Sequence, residues 1–217
     1  MRAMRLHHPA PIERAPLVAE EVPRPAPGPE AVLVRVEACA VCHTDLHLAR
    51  GELPPRRLPV IPGHQAVGRV VEVGCDVPPS WVGRRVGVAW LHRACGTCAA
   101  CARGDENLCE RPQFTGYDVD GGFAEWLTAP AAFVYEIPDR FDAIGAAPLL
   151  CAGIIGYRAL RLAAVTPGAH LGLFGFGASA HLAIQVARHW GCEVSVVTRS
   201  AAHRRLAEAL GARWVGT

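Results

Sequence analysis

The chain has 217 residues, of which 51% are hydrophobic and 19% charged, and its formal net charge at pH 7 is +2. This balance is typical of a folded globular protein, and so small a charge argues against nucleic acid or an acidic membrane surface as a partner. All 22 basic side chains are arginines, so mechanisms that need a lysine Schiff base or a lysine nucleophile are excluded for this chain.

The first 150 residues or so predict a β-rich region. Short β-branched runs lie at residues 31–36, 66–73, 85–90 and 123–128, with proline and glycine between them. From residue 146 the pattern changes, because apolar residues at helical spacing predict a helix over residues 146–164.

The remaining residues alternate between strand and helix patterns. Strands are predicted at 170–174 and 193–198, helices at 179–190 and 202–210, and a third strand begins at 213–215. This order predicts the beginning of a doubly wound parallel sheet. A complete doubly wound domain needs several more strand–helix units, so we expect this one to be truncated.

Nine cysteines occur in a chain whose first residues lack the apolar core of a signal peptide. The longest apolar stretch is also too short and too interrupted for a membrane span. We therefore expect a cytoplasmic protein. In that reducing compartment, clustered cysteines are more often metal ligands than disulfides.

Cys95, Cys98, Cys101 and Cys109 form the densest cysteine cluster. Four thiolates at these spacings can close a tetrahedron around Zn²⁺ with no open position, so the cluster predicts a structural zinc site. The final gap of seven residues differs from the bacterial ferredoxin pattern and argues against an iron–sulfur cluster. Three acids offset the three nearby arginines, which argues against a zinc-ribbon nucleic-acid module.

A second, dispersed set of candidate ligands consists of Cys42, His64 and Cys151. A lone Cys–His pair in a β-rich region is more often structural than catalytic. Two cysteines and a histidine with an open fourth position, however, are the catalytic zinc arrangement of alcohol dehydrogenases.

Six motifs follow one another in a single order along the chain. They are Val41-Cys42-His43-Thr44-Asp45, Pro62-Gly63-His64, the four-cysteine cluster, Gly116-Tyr117 with Gly121-Gly122-Phe123, Leu150-Cys151-Ala152-Gly153, and the glycine turn after residue 174. On these motifs the chain resembles the zinc-containing medium-chain alcohol dehydrogenases, particularly the bacterial and yeast type. The resemblance implies a GroES-like β-barrel catalytic domain over residues 1–150, followed by an incomplete Rossmann domain over residues 151–217.

The resemblance also implies that Cys42, His64 and Cys151 bind a catalytic zinc and that Asp45 orients His64. One residue departs from the family pattern, because Gln65 stands where the family usually has glutamate. Removing that negative charge is expected to favour the alkoxide slightly and to slow ligand exchange at the metal. On this hypothesis, Gln65→Glu raises the apparent pKa of the bound alcohol.

Further roles come from the same resemblance. Thr44 would hydrogen-bond the alcohol oxygen, and His47 would receive the proton through the coenzyme ribose. His43 would face the coenzyme pyrophosphate. Trp90 would line the substrate pocket, with ordinary core packing as the equal alternative.

Residues 173–180 follow a predicted strand and open a predicted helix, which is the setting of a dinucleotide fingerprint. Gly175 permits the tight turn, Gly177 lets the backbone approach the pyrophosphate, and Ala180 replaces the third glycine. The second strand ends at Thr198 and Arg199, where an NAD enzyme usually has a carboxylate for the ribose. Arg199 can pair with a 2′-phosphate, so we predict NADP(H) over NAD(H), the alternative being a solvated surface arginine.

The sequence thus predicts a zinc-dependent, NAD(P)-linked alcohol dehydrogenase with two zinc ions per chain. Its partner would be a small alcohol or aldehyde, with no nucleic acid and no membrane. Polyols and cinnamyl-type alcohols are alternative substrates, and a non-catalytic zinc-binding fragment is the alternative of a different class. The full-length family implies a homo-oligomer.

Overall fold

The computed structural model describes all 217 residues, which form two compact units, Met1–Leu150 and Cys151–Thr217. The first unit is mainly β, and the second alternates strands with helices. No single helix is both long and apolar enough to span a membrane. Only the helical stretches Ala143–Leu150 and Ala152–Leu162, taken together across a bend, reach the required length and composition.

The first unit contains nine strands and three α-helices. In chain order they are β1 (Arg2–Leu6), β2 (Leu17–Glu21), β3 (Ala31–Cys39), α1 (His43–Arg50), β4 (Ala66–Val73), β5 (Arg85–Val88), β6 (Leu91–Arg93), α2 (Ala99–Ala102), β7 (Gln113–Phe114), β8 (Trp126–Pro130), β9 (Val134–Glu136) and α3 (Ala143–Ala146). A 3-10 turn at Ala147–Leu150 ends the unit.

Five of these strands form an antiparallel sheet in the order β8-β3-β4-β5-β9, while β1 pairs with β2 and β6 with β7. Alternate residues of the central strands point into one core, where the side chains of Val34, Val70 and Val86 are at most 1% exposed. Each fully buried valine contributes about 1.5–3 kcal/mol of hydrophobic stabilisation. The sheet is therefore a rigid frame for the loops that leave its strand ends.

The second unit contains three strands and three helices. They are α4 (Ala152–Leu162), β10 (His170–Phe174), α5 (Ala178–His189), β11 (Glu193–Val197), α6 (Ala201–Ala209) and β12 (Trp214–Gly216). The strands form a parallel sheet in the order β10-β11-β12. Helix α5 buries Ala183, Ile184 and Ala187 in a core shared with Val194 and Val196 of β11, which fits the helical spacing of its apolar residues.

Two predicted elements differ from the structure. The predicted helix 146–164 is interrupted at Cys151, whose backbone (φ −134°, ψ −72°) is not helical because this residue is the N-cap of α4. The predicted strand 123–128 begins later, at Trp126, because the N–H of Phe123 donates to the carbonyl of Pro62 instead of joining the sheet. The later start of the strand arises from a contact with a distant segment, which a local pattern does not contain.

Candidate active site

The four-cysteine cluster lies in the connection between β6 and β7, around the short helix α2. The four sulfur atoms all lie within 4.8 Å of one another. Cys101 Sγ is 3.5 Å from Cys98 Sγ and 3.9 Å from Cys95 Sγ. These separations are too long for a disulfide, and they bracket the roughly 3.8 Å edge of a tetrahedron with Zn–S bonds of about 2.3 Å. The donor set fits Zn²⁺.

Backbone N–H groups of the same loop point at these sulfurs. Cys95 N–H donates to Cys109 Sγ at 3.2 Å, and Cys98 N–H donates to Cys95 Sγ at 3.4 Å. The N–H and hydroxyl of Thr97 and the N–H of Cys98 lower the pKa of Cys95 to about 5. Desolvation and the neighbouring Cys98 thiol raise the pKa of Cys101 to about 12. The loop thus favours the thiolate of Cys95 and disfavours that of Cys101 among the neighbouring sulfurs, and a bound cation would stabilise the thiolate form of all four.

The dispersed ligand candidates also come together. The ligand atoms of Cys42, His64 and Cys151 all lie within 4.8 Å of one another. Cys42 is the N-cap of α1, His64 lies just before β4 and is 1% exposed, and Cys151 directly follows Leu150. Two sulfurs and one imidazole within this distance fit a zinc ion that keeps a further position open.

A close backbone contact between two glycine-containing segments positions His64. Gly63 has φ +94°, and a Cβ at this residue would lie 2.6 Å from a ring carbon of Phe123. The N–H of Gly122 donates to the Gly63 carbonyl at 2.8 Å, and that of Phe123 to the Pro62 carbonyl at 3.0 Å. The motifs at residues 62–64 and 121–123 are therefore two sides of one close backbone contact, which only glycine permits.

Asp45 connects the Cys42 and His64 segments. Its carboxylate is 6% exposed and accepts the N–H of Cys42 at 2.8 Å and the N–H of Gly63 at 3.2 Å. Asp45 Oδ1 also lies 3.2 Å from His64 Nδ1. A single buried carboxylate thus holds both segments, in keeping with the orienting role that the family resemblance implies for it.

Thr44 lies beside Cys42, with 3.7 Å between Cys42 Sγ and Thr44 Oγ1. Burial raises the pKa of the Cys42 thiol. The N–H and hydroxyl of Thr44 and the nearby His64 together lower this pKa by more than burial raises it, so the net shift is downward. The site therefore favours the thiolate, the form of cysteine that binds metals.

His43 and His47 are both exposed on α1, with ring centroids 6.3 Å apart. His47 Nδ1 contacts the carboxylate of Glu52, and this hydrogen bond lowers the pKa of Glu52. No sequence motif pointed to Glu52. Its only local signal is an acid just beyond Gly51, the left-handed residue that ends α1.

Trp90 lies at the edge of the dispersed ligand set. Its ring is edge-on to His64 at a centroid distance of 4.9 Å and stacks on Phe114 at 4.8 Å. The side chain is half-buried and packs against a small core with Leu6, Leu48 and Val60. Trp90 therefore contacts the core on one side and a candidate metal ligand on the other.

The predicted coenzyme turn connects β10 to α5 within the second unit. Gly175 has φ +89°, and its N–H donates to the Val197 carbonyl at 2.8 Å. Gly177 is the N-cap of α5, and no atom lies within 4 Å of where its Cβ would be. Ala180 packs against the core of the unit. The N-terminus of a twelve-residue helix is thus approachable by an anion.

A cavity of about 440 Å³ lies at the end of β11, lined by Gly175, Val197, Thr198, Arg199, Ser200, His203 and Thr217. No carboxylate side chain lines it. Arg204 Nη1 donates to the carbonyls of Thr198 at 3.1 Å and Arg199 at 2.7 Å, which fixes the backbone of the cavity wall.

The two units differ in charge. The second unit has seven arginines and two glutamates, a formal charge of +5, whereas the first has fifteen arginines and eighteen acids, a charge of −3. Of the two acids of the second unit, Glu193 already pairs with Arg213. The field of the second unit therefore favours an anionic ligand.

Comparisons with known proteins agree on one family. The family described as alcohol dehydrogenase GroES-like domain matches residues 28–139. The chain is 50% identical over 219 residues to "Probable alcohol dehydrogenase AdhA" of Mycobacterium tuberculosis, which covers 98% of this chain and 63% of that protein.

Two solved structures are similar along the whole chain. A cobalt- and zinc-bound thermostable alcohol dehydrogenase from Pyrobaculum aerophilum has a TM-score of 0.89 and 29% identity, covering 100% of this chain and 65% of that one. The enzyme CAD from Helicobacter pylori in complex with NADP(H) has a TM-score of 0.88 and 30% identity, with coverage of 100% and 65%. The chain thus spans less than two thirds of the length of each of these relatives.

Proposed function

Because the chain belongs to the zinc-containing medium-chain alcohol dehydrogenase family, with a GroES-like domain in its first unit, we propose that it takes part in reversible hydride transfer between a small alcohol or aldehyde and NADP(H). One observation carries the proposal. Two thiols and one imidazole, from Cys42, His64 and Cys151, converge within 4.8 Å although they are far apart in the sequence. This ligand set leaves a zinc ion open to substrate.

We assign two zinc ions to the chain. Cys42, His64 and Cys151 would hold the catalytic ion, and Cys95, Cys98, Cys101 and Cys109 the structural one. When bound, the catalytic zinc supplies Lewis-acid chemistry at the substrate oxygen, and the coenzyme supplies the hydride acceptor. The four-thiolate set leaves no open position, so its role is to hold the loop between β6 and β7 in place.

The chain's own groups then orient the substrate and handle its proton. The Thr44 hydroxyl, beside Cys42, would accept a hydrogen bond from the alcohol and relay the proton toward His47. Glu52 contacts Nδ1 of His47, so Nε2 is the ring atom that would exchange the proton with water. Because His47 is exposed, the proton can leave the site without opening of the fold. His43, also exposed on α1, would contact the coenzyme pyrophosphate.

We further propose that the second unit is the beginning of a Rossmann domain and that it binds NADP(H) in preference to NAD(H). Gly175, Gly177 and Ala180 would admit the pyrophosphate at the N-terminus of α5. Arg199 lies in a cavity without a carboxylate, in a unit of charge +5, and would pair with the 2′-phosphate.

Compartment and assembly follow from the same proposal. None of the nine cysteines forms a disulfide, and a reducing compartment such as the cytoplasm would keep seven of them available as metal ligands. Homo-oligomers are what the family implies for the full-length protein.

The decisive experiment is aldehyde-dependent oxidation of NADPH and of NADH by the zinc-loaded protein, with Cys42→Ser as the inactive control. We expect turnover with the wild type, a preference for NADPH, and an inverted preference in Arg199→Asp. Equal rates of the wild type with both coenzymes would contradict the role of Arg199. Two zinc ions bound without turnover would instead favour the non-catalytic zinc-binding alternative.

A cinnamyl-type substrate is the second candidate within this function. The Trp90 and Phe114 rings, stacked beside His64, offer a flat apolar wall that suits an aryl group. Comparing kcat/KM for cinnamaldehyde and acetaldehyde tests it. A lower value for the aromatic aldehyde would reject this candidate and leave the dehydrogenase function intact.

A further inference from the structure

Gln65, the residue where this chain departs from its family, makes two hydrogen bonds to Ala40. Its side chain is buried, with the residue 3% exposed, and Nε2 donates to the Ala40 carbonyl at 3.3 Å. The backbone carbonyl of Gln65 in turn accepts the backbone N–H of Ala40 at 3.1 Å. The side chain and backbone of Gln65 together connect the segment before Cys42 to the residue after His64.

Asp45 makes the corresponding connection on the other side of the two ligands. It accepts the N–H of Cys42 and the N–H of Gly63. Cys42 thus lies between Ala40 and Asp45, and His64 lies between Gly63 and Gln65. Two side chains thus link the ligand segments. The carboxylate of Asp45 does so as an acceptor, and the amide of Gln65 does so as a donor.

The cross-link at Gln65 requires a donor. The thiol of Cys39, 3.9 Å from the Ala40 carbonyl, is only a weak donor. A carboxylate at residue 65 would set a second acceptor against that carbonyl, and burial keeps out the water that would separate them. Either the side chain would have to turn away or the Ala40 segment would have to move, and in both cases the side-chain link between the two ligand segments is lost.

We propose that Gln65 is a positioning residue whose amide donor fixes the Cys42 and His64 segments at the separation that the metal needs. This inference rests on the proposed function, since it takes Cys42, His64 and Cys151 as a zinc site. It assigns the effect of Gln65 to its hydrogen bond, whereas the charge hypothesis assigns it to the missing carboxylate.

The test compares Gln65→Met, which removes the donor without adding charge, with Gln65→Glu, which removes the donor and adds a charge. Gln185→Met and Gln185→Glu are matched controls, because Gln185 Nε2 donates to the His181 carbonyl at 3.0 Å on the exposed face of α5. Zinc release to a chromophoric chelator and the visible absorption of the Co²⁺-substituted protein are measured for each. The Cys42→Ser protein gives the signal of the four-cysteine site alone. Subtracting that signal from the signal of each other protein isolates the contribution of the dispersed site.

We expect both Gln65 variants to release zinc from the dispersed site about tenfold faster or more and to shift its Co²⁺ absorption, whereas the Gln185 variants match the wild type. An unchanged Gln65→Met protein overturns the proposal, even if Gln65→Glu is affected, because charge would then be the cause. Should Gln65→Met fail to fold, Gln65→Asn, whose amide is too short to reach Ala40, replaces it with the same expectations. A wild type that binds no metal at Cys42 overturns the proposed function and this inference together.

Discussion

The two candidate metal sites are built in opposite ways. The four-cysteine site takes all its ligands from fifteen consecutive residues, and N–H groups of the same loop donate to its sulfurs. The other site takes its ligands from residues 42, 64 and 151, and the cross-links from Asp45 and Gln65 lie outside the ligand set. A short loop loses little entropy on closing, whereas bringing distant residues together costs more and must be offset by the sheet that holds them.

This difference suggests that the two sites have different roles. A closed four-thiolate site stabilises its own loop and offers nothing to a substrate. A three-ligand site keeps a position free and depends on neighbouring residues for its geometry. We therefore expect damage to the first site to appear in stability, and damage to the second to appear in activity and metal exchange.

The largest effect is expected from Cys98→Ser. Loss of one thiolate should release the structural zinc, which contributes on the order of 10 kcal/mol to folding in small zinc domains. Thermal unfolding with and without a chelator checks this, with Cys75→Ser as the control because Cys75 is exposed and outside both clusters. Unfolding of Cys98→Ser at the wild-type temperature would contradict a stabilising role of the four-cysteine site.

Cys42→Ser should show the reverse pattern. Without its thiolate the dispersed site should lose zinc, and turnover should fall by roughly a thousandfold or more because Lewis-acid catalysis supplies several kcal/mol. The unfolding temperature should change little, since the sheet core is untouched. Steady-state kinetics and calorimetry on the same sample separate the two outcomes, and a large loss of stability with normal turnover would contradict the assignment.

An intermediate effect is expected from Asp45→Asn. The amide keeps the shape of the side chain but weakens its hold on the N–H groups of Cys42 and Gly63, so zinc affinity at the dispersed site should fall about 10- to 100-fold. Competition with a chelator of known affinity measures this. The four-cysteine site provides an internal control, and weakening of both sites alike would indicate general unfolding instead.

The smallest effect concerns pH and His92. Burial, followed by the charge of Arg93, lowers the pKa of His92 to about 4 from an ordinary value of 6.5. The unfolded chain therefore binds more protons than the folded one between pH 6.5 and 4. Stability is complete above this window and falls as the pH drops through it. In His92→Phe the acid-induced loss of unfolding free energy should be smaller by about 1–2 kcal/mol, a figure reduced because His92 is partly exposed.

Denaturant unfolding at pH 7 and pH 5 measures the effect of His92. Loss of zinc at the lower pH is common to the variant and the wild type, so the difference between their pH dependences isolates the histidine. Parallel pH dependences would show that acid acts on the metal sites alone.

The sequence by itself determined the family, which the comparisons confirm, and it determined whatever depends on neighbouring residues. The four-cysteine spacing, the strand β10 and the glycine turn before α5 are all local patterns. The strand forms at the predicted residues 170–174 and the four cysteines come together, because a short strand or a short loop is specified by the residues within it.

Only the tertiary structure decided how the dispersed site is held. The links from Asp45 to Gly63 and from Gln65 to Ala40 depend on where separate segments meet. The sequence indicates only that Gln65 lacks a charge, whereas its role as a hydrogen-bond donor is visible only with Ala40 opposite it. The physical reason is that a hydrogen bond needs both partners in position, and residues 25 apart are brought together by the sheet and not by their own sequence.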